Sequence, residues 1–509
     1  MRTAARSDPR PALRLSAAVG AGLAWVAALP PIGVWVAGPV AVALLGLAVH
    51  GLGARWRALL GGTTGLVVFG ATLRWATIFT VPGYVLLVLV EAAFVALAAL
   101  LVPRGRQWLL ALPPAVTLAE WLRHMWPLSG LPVSSLALGQ AHGPLLGLAA
   151  YGGPALVTLV TAGLGALLVH VLVAGRRRGA VTGALGVGAV LAAALVVPSA
   201  PGTQETGEPL VVATVQGGGA RGLPAARTGP TDVLVRHLDV SRDIDPEVDL
   251  VLWPENVVDI DGPLHNRGDA AVVSSLAKRL QTPVVAGVTT DAPASPDDRV
   301  GVRRFRNLAV AFAADGTLGA TYDKVVRVPF GEYVPARPVV ARIADLSLIP
   351  REAVPGSGPG VLDTEVGRVG VLISFEGLFA SRARAAARAG ATLLLVPTNA
   401  ASYVTDDVPA QQVAAARLRA AETGRWVALA GPTGPSAIVR HDGVVQARSR
   451  LEVPALLEEQ VQPRTGRTPY TVLGDLPVLT VASLAALVAY RPRRRLLARP
   501  GRSAATADR

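Results

Sequence analysis

The chain has 509 residues, of which 51% are hydrophobic and only 16% charged, well under the roughly 25% charged residues of an ordinary soluble domain. That balance excludes disorder and argues against a simple soluble protein. There is no cysteine, so disulfides, thiolate metal sites, iron–sulfur clusters and a cysteine nucleophile are excluded. The two lysines, Lys278 and Lys324, neither follow glycine nor precede serine or threonine, which excludes a P-loop.

The net charge of +13 is unevenly placed. Residues 199–475 hold 28 basic and 31 acidic side chains, whereas the rest of the chain holds 20 basic and 4 acidic ones. The excess basicity lies beside apolar segments, the pattern of a membrane protein's cytoplasmic loops, and no nucleic-acid partner is expected.

Apolar runs of spanning or near-spanning length occur at about 12–29, 32–50, 58–75, 81–102, 108–122, 143–174 and 180–198, with a last one at about 473–490. Arg2, Arg6, Arg10 and Arg14 precede the first run, Arg55 and Arg57 follow the second, and Arg104 and Arg106 follow the fourth. Arg176, Arg177 and Arg178 follow the sixth, and Arg491, Arg493, Arg494 and Arg495 follow the last; the opposite loops hold Arg74 and Arg123. This alternation predicts eight transmembrane spans with both ends on the cytoplasmic side. The first run also resembles a signal peptide, but further runs follow at once and Pro30-Pro31 reads as a tight turn between helices. The expected organisation is a cytoplasmic N-terminus (1–11), a seven-span membrane domain (12–198), an extracytoplasmic domain (199–472), an eighth helix (473–490) and a basic cytoplasmic tail (491–509).

After a polar stretch at 201–209 that reads as a linker, short β-branched runs recur at 210–215, 250–253, 283–288, 308–312, 369–373, 392–397 and 426–430. Helical stretches at 270–280, 381–390 and 410–423 alternate with them, which predicts an α/β domain. Residues 307–314 and 318–322, joined at Asp315-Gly316, read as a hairpin.

Polar residues collect at the ends of these strands, where α/β domains bring distant side chains together. Glu255 ends Leu-Trp-Pro-Glu-Asn, and Lys324 and Glu332 fall in Asp-Lys-Val-Val-Arg-Val-Pro-Phe-Gly-Glu-Tyr-Val-Pro. Ser374, Phe375 and Glu376 end Val-Gly-Val-Leu-Ile-Ser-Phe-Glu-Gly, and Asn399 follows Val-Pro-Thr. These motifs, with Val-Gln-Gly at 215–217, Arg417–Gly424 and the membrane-part Glu120-Trp121-Leu122-Arg123, resemble the apolipoprotein N-acyltransferase family. That family is the membrane-embedded branch of the nitrilase, or carbon–nitrogen hydrolase, superfamily.

The resemblance implies a four-layer αββα sandwich inserted between the seventh and eighth helices of a bacterial plasma-membrane protein. It implies transfer of an acyl chain from a phospholipid to the amine of diacylglyceryl-cysteine on a lipoprotein, through an acyl-enzyme. Glu255 is then the general base, Lys324 the oxyanion partner, and Ser374 occupies the place of the family's cysteine nucleophile. Glu332 and Glu376 are supporting carboxylates that hold the lysine, the N–H of Phe375 completes the oxyanion hole, and Asn399 lies nearby as a supporting or turn residue. No cofactor or metal is implied, and a monomer is expected. A nucleophile needs a base within reach and donors aimed at the developing oxyanion.

Serine departs from the family pattern, because a thiol near pKa 8.5 yields its proton to a carboxylate far more readily than a hydroxyl does. Ser374 as an oxygen-ester nucleophile, a weakly active or silent relative that binds lipoproteins or partner enzymes, and a replacement that traps substrate all remain open. His237, His265 and His441 form no recognisable triad motif with it. A membrane-tethered amidase is a further class, disfavoured because a tether needs one span. In the membrane part, Glu91 either faces a lipid-access cavity or pairs within the bundle. Glu120 and Arg123 either meet a headgroup or form an interfacial pair, and Trp75, Trp121 and Trp126 read as interfacial anchors.

Overall fold

The structure, a computed structural model, describes residues 11–490 apart from 79, 106, 174–176, 223–228, 263, 265–267, 294–302, 343–345, 347–350 and 404–406. Arg2, Arg6, Arg10, Arg106, Arg176, His265, Arg491, Arg493, Arg494 and Arg495 therefore lie outside the described residues.

The first part of the chain forms the helices α1 (Pro11–Ala28), α2 (Ala37–Val49), α3 (Ala54–Thr72), α4 (Val81–Leu100), α5 (Trp108–Arg123), α6 (Ala149–Val173) and α7 (Arg177–Val196), one for each apolar run. α1, α4 and the segment Leu146–Leu172 are long and apolar enough to cross a membrane, whereas α2 and Gly183–Val196 are apolar but shorter. At one end of the bundle arginines serve carbonyls that helix termini leave without intrahelical partners. Arg14 donates to the carbonyls of Ala48 (3.0 Å) and His50 (2.8 Å), Arg57 to that of Leu100 (3.1 Å), and Arg104 to that of Leu52 (3.0 Å). α6 is broken at Gly152 and Gly153. Gly153 has φ +61°, and a Cβ there would stand 2.3 Å from the buried ring of Tyr470, so a side chain is excluded on both counts.

The charged residues of the bundle face one another. Arg123 donates to Glu91 Oε2 at 2.9 Å, lies 3.6 Å from Glu120, and holds the carbonyls of Leu131 (2.7 Å) and Val133 (3.0 Å). Glu120 in turn accepts from the Leu136 N–H and the Thr158 hydroxyl, both at 2.7 Å. All three are buried, so Glu91 pairs within the bundle, and Glu120 and Arg123 pair with each other and with the loop after α5. A buried charge is tolerated only when paired and hydrogen-bonded, and this set fixes the loop that follows α5.

The α/β part contains β1 (Thr203–Glu205), β2 (Leu210–Gln216), α8 (Pro230–Val240), β3 (Leu250–Leu252), β4 (Val258–Ile260), α9 (Gly268–Leu280), β5 (Val284–Asp291), β6 (Arg303–Phe312), β7 (Leu318–Asp323) and β8 (Arg351–Ala353). It continues with β9 (Val361–Thr364), β10 (Gly367–Val371), α10 (Ala380–Arg388), β11 (Leu393–Pro397), α11 (Asp407–Thr423), β12 (Val427–Ala430), β13 (Ala437–Val439), β14 (Val445–Arg448), β15 (Ala455–Val461) and β16 (Arg464–Gly466). The helix α12 (Leu476–Tyr490) then returns to the bundle, where the Tyr490 hydroxyl donates to the Leu101 carbonyl at 2.9 Å.

One sheet has the order β15-β2-β3-β5-β6-β7, with β4 against β5 and β8 against β6; the other has the order β14-β13-β12-β11-β10-β9. Their central strands are parallel and apolar on both faces, as strands covered on both sides must be. Leu252, Val285 and Ala309 of the first sheet meet Val371, Leu395 and Ala428 of the second in a shared core. α8 and α9 cover the outside of the first sheet, and α10 and α11 that of the second, giving the expected α-β-β-α layers. The hairpin at Asp315-Gly316 is present. The stretch read as a linker is not one throughout, because β1 pairs antiparallel with β16.

α11 has almost no solvent face. Val413, Ala416 and Ala420 pack on the sheet, while Ala414, Ala415, Leu418 and Ala421 join Phe375, Leu378 and Phe379 in the apolar cluster of the bundle. One layer of the sandwich therefore rests directly on the membrane-type helices.

On the far layer, His237 of α8 is fully buried; its Nδ1 donates to the Val233 carbonyl (2.7 Å) and its Nε2 accepts from the Gly217 N–H (3.1 Å). Burial pushes its pKa down to about 4. Since the unfolded chain takes up that proton near pH 6.5, stability should fall as pH drops from about 6.5 to about 4, by roughly 3 kcal/mol from this residue. Thermal melts of the purified protein across that window, beside His237→Gln with a flatter pH dependence, check this.

Candidate active site

Glu255 follows β3, where Trp253-Pro254 closes the strand against β5. The Gly287 N–H donates to the Pro254 carbonyl at 3.0 Å, and a Cβ on Gly287 would lie 2.4 Å from the Glu255 Cα. A glycine is needed for β5 to pass so close to the acid. Lys324 follows β7, its N–H donating to the Asn307 carbonyl of β6 at 2.9 Å. Glu332 lies in the turn that follows, with the Val328 N–H donating to its Oε2 at 2.8 Å.

These three meet. Lys324 Nζ donates to Glu255 Oε1 (2.9 Å) and Glu332 Oε1 (2.8 Å). Asn307 Nδ2 donates to the same two oxygens at 2.8 and 3.0 Å. Lys324 is 2% and Glu255 3% exposed, so this is a dry ion cluster. Burial alone would lower the lysine's pKa, but the two carboxylates more than offset it and hold it above 10.5. A folded value above the unfolded one means that the pairing contributes fully below about pH 10.5 and is lost only above it. Among the described residues both contacts of Glu255 use Oε1, which leaves Oε2 to take a proton.

Ser374 opens a short 3₁₀ turn, Ser374–Leu378, after β10. Its φ of +53° lies in the left-handed region, at a cost of about 1–2 kcal/mol for a residue with a Cβ. Such strain concentrates at functional sites and persists only where neighbours enforce it. Here the Ile373 N–H donates to Glu376 Oε2 (2.9 Å), and Arg419 of α11 holds the carbonyls of Gly377 (3.2 Å) and Leu378 (2.7 Å). Arg419 is itself clamped by Glu422 at 2.6 Å. The Ser374 oxygen lies 3.3 Å from the Thr398 hydroxyl, and the Glu255 N–H points to the Thr398 carbonyl at 3.4 Å, so the residue after β11 joins the serine to the acid.

The expected role of Glu376 needs correction. It does not hold the lysine side chain: its Oε1 accepts from the N–H groups of Val325 (2.8 Å) and Val326 (3.1 Å), and from the Tyr322 hydroxyl (2.9 Å). With the Ile373 contact it ties the strand of the lysine to the strand of the serine through the backbone. Burial raises its pKa, opposed by Arg382 and these hydrogen bonds. Phe375 packs edge to face on Phe379 (centroids 5.0 Å apart) in the bundle cluster. Asn399 accepts from the Ala401 N–H at 3.1 Å and shapes the turn, without bonding to Glu255, Lys324 or Ser374. Gln216 of the Val-Gln-Gly motif is structural, accepting from Ser436 and Ser449 (2.6 Å for Ser449) across the sandwich. Neither His237 nor His441 hydrogen-bonds to Ser374.

Asn307, Thr398 and Tyr403 were not singled out by the motifs. The signal for Asn307 is an amide opening an apolar run, Asn-Leu-Ala-Val-Ala-Phe, a polar group that the core must satisfy. Tyr403 stands beside the ion cluster, its pKa pushed up to about 12 by burial, with Lys324 lowering and Glu255 and Glu332 raising it. Its ring meets Trp75 of the bundle edge-on at 5.2 Å, so Trp75 is a domain contact and not simply an interfacial anchor. Trp121 lines a cavity together with Asp475 just before α12, whereas Trp126 stays 61% exposed.

The chain matches two family models, "Apolipoprotein N-acyltransferase N-terminal domain" over residues 21–167 and "Carbon-nitrogen hydrolase" over residues 212–470. It is 32% identical to the apolipoprotein N-acyltransferase of Mycolicibacterium smegmatis, across 93% of this chain and 84% of that one. The chain belongs to the apolipoprotein N-acyltransferase family. Others with that name include the proteins of Azotobacter vinelandii (31% identical, 74% of this chain and 72% of that one) and Pseudomonas aeruginosa PAO1 (29%, 94% and 97%). Membership accounts for an acyltransferase-type carbon–nitrogen hydrolase domain carried on apolar helices.

Lys324→Met leaves the buried Glu255 and the largely buried Glu332 carboxylates without their shared cation. It should destabilise the domain by about 3–5 kcal/mol, seen as a lowered melting temperature, and adding Glu332→Gln should recover part of the loss.

Proposed function

We propose that this chain transfers a fatty acyl group from a phospholipid to the N-terminal amine of diacylglyceryl-cysteine on lipoproteins, with Ser374 as the nucleophile. The observation that carries the reading is the buried Glu255–Lys324–Glu332 cluster, at 2.8–2.9 Å, set beside a strained serine turn that packs on the bundle.

In the first half-reaction Glu255 accepts the Ser374 proton as the serine oxygen bonds to the ester carbonyl carbon. The oxyanion forms against the Lys324 ammonium and the Phe375 N–H. Collapse breaks the acyl C–O bond; the departing glycerol oxygen takes the proton from Glu255 and leaves as lysophospholipid, with the acyl group now an oxygen ester on Ser374. In the second half the neutral α-amine attacks that ester and Glu255 takes an amine proton. The Ser374–acyl bond then breaks, and the serine oxygen regains its proton. Glu332, already bonded to the lysine and to the Val328 N–H, keeps the ammonium aimed.

We further infer that α1 to α7 and α12 are the eight spans of a bacterial plasma-membrane protein, acting as a monomer with the domain divisions expected from the charge alternation. Support comes from the opposite placement of two features. Arg14, Arg57 and Arg104 gather at one end of the helices, whereas the Trp75–Tyr403 and Ser134–Gln411 contacts with the α/β part lie at the other. The arginine end is then cytoplasmic and the α/β part extracytoplasmic. On this reading the serine lies at the lipid surface, where donor and acceptor both reside.

Purified protein in phospholipid vesicles with a synthetic diacylglyceryl-cysteine peptide should yield a peptide heavier by one acyl chain on its amine, read by mass spectrometry. Ser374→Ala should abolish the product, and Ser374→Cys should raise its rate roughly tenfold or more, worth at least about 1.4 kcal/mol of barrier. A peptide amine that stays free with both the wild type and Ser374→Cys would sink this reading and leave a binding protein.

A further inference from the structure

We propose that Thr398 and Gln412 are positioning residues that form a hydroxyl relay to Ser374. Gln412 fixes Thr398 so that the threonine's own proton is donated to the serine oxygen, leaving the serine proton to face the base. The inference rests on the acyl-transfer reading for its chemistry, but the nucleophilicity of Ser374 is measurable apart from it.

Thr398 stands directly after β11 with its backbone fixed on both sides: its N–H donates to the Ala430 carbonyl at 2.8 Å, and its carbonyl faces the Glu255 N–H at 3.4 Å. Gln412 Nε2 donates to the Thr398 hydroxyl oxygen at 2.6 Å. An amide NH₂ can only donate, so that contact leaves the threonine proton unused. Thr398 is 2% exposed, and a buried hydroxyl proton requires an acceptor. Among the described residues the remaining neighbour of that hydroxyl is the Ser374 oxygen at 3.3 Å, a separation able to shorten once a substrate is seated. The order is therefore Gln412 to Thr398 to Ser374, and its first member is anchored: the neighbouring Gln411 accepts from the Ser134 N–H of the bundle at 2.7 Å.

The relay meets the difficulty that serine brings. A carboxylate is a weak base for a hydroxyl, and a donor fixed on the serine oxygen stabilises the negative charge that grows there as its proton moves to Glu255. It also takes up one lone pair, which orients the remaining O–H. A thiol is more acidic and a poor hydrogen-bond acceptor, so a cysteine at 374 has little use for the same donor. The Thr398 proton stays on Thr398 throughout.

The test is the labelling rate of Ser374 in the full chain by a fluorophosphonate probe, with Ser374→Ala as the blank. Thr398→Val should slow labelling by a factor on the order of 10², the loss seen for one preorganised donor, and Thr398→Ser should restore it. Gln412→Glu, which accepts the threonine proton and reverses the relay, should slow it as well. In the Ser374→Cys background, Thr398→Val should leave iodoacetamide alkylation of residue 374 nearly unchanged, which separates the relay from a folding defect. Unchanged fluorophosphonate labelling in Thr398→Val, equal slowing of serine and cysteine, or no labelling of wild-type Ser374 would each overturn the relay. Normal labelling with no peptide acylation would overturn the acyl-transfer reading and leave the relay standing.

Discussion

An ammonium removed from water must be matched by charge, and in this protein Lys324 is matched by two carboxylates and steadied by an amide. The desolvation of such a group costs several kcal/mol unless its partners sit at hydrogen-bonding distance. That requirement constrains everything nearby. Glu255 after β3 and Glu332 in the turn after β7 must both come within about 3 Å of one nitrogen, and the middle of β6 must bring Asn307 to the same two oxygens. Gly287 is the local cost of that convergence, because no other residue lets β5 pass the Glu255 backbone. The same cluster offers a fixed positive charge, a carboxylate oxygen without a partner among the described residues, and little water to weaken either.

The serine turn is held to this cluster indirectly. Glu376 ties its backbone to the residues just after Lys324, Thr398 joins its side chain to the strand end that faces Glu255, and Arg419 with Glu422 grips the carbonyls that follow. A left-handed serine is an uphill conformation, and three independent ties account for its persistence. One of those ties, Arg419 with Glu422, comes from α11, and Gln412 of the same helix holds Thr398 in another; α11 lies between the sandwich and the bundle. The geometry of the site is thus coupled to the seating of one domain on the other.

That seating is mostly apolar, through Phe375, Leu378, Phe379 and one face of α11, but it is oriented by polar contacts. Gln411 accepts from the loop whose shape is set by Glu120 and Arg123, and Tyr403 reaches Trp75 beside the ion cluster. A dry, non-directional interface supplies adhesion, while the buried hydrogen bonds choose the register at which the two parts meet. Glu91, Glu120 and Arg123, buried within the bundle, therefore hold the loop on which the α/β domain is seated.

Much of this was legible in the chain itself. Apolar runs mark the helices because burial of an apolar helix or strand demands apolar residues locally, and α1 to α7 and the central strands appear where the runs do. Trp-Pro-Glu, the lysine segment and the Ser-Phe-Glu elbow also announce the site, since strand ends are short-range features. What stayed hidden depends on non-local pairing. The partnering of β1 with β16 unites residues some 260 positions apart, and nothing in the local pattern of 201–209 encodes its mate. Glu376 reads as one more acid near a lysine, yet the fold turns it toward backbone amides. Asn307, Thr398 and Gln412 carry ordinary polar side chains whose importance comes from being buried together. Composition and periodicity determined which segments must leave water. Only the tertiary packing decided which polar groups go with them and meet, because a hydrogen bond has direction and range that a one-dimensional pattern does not record.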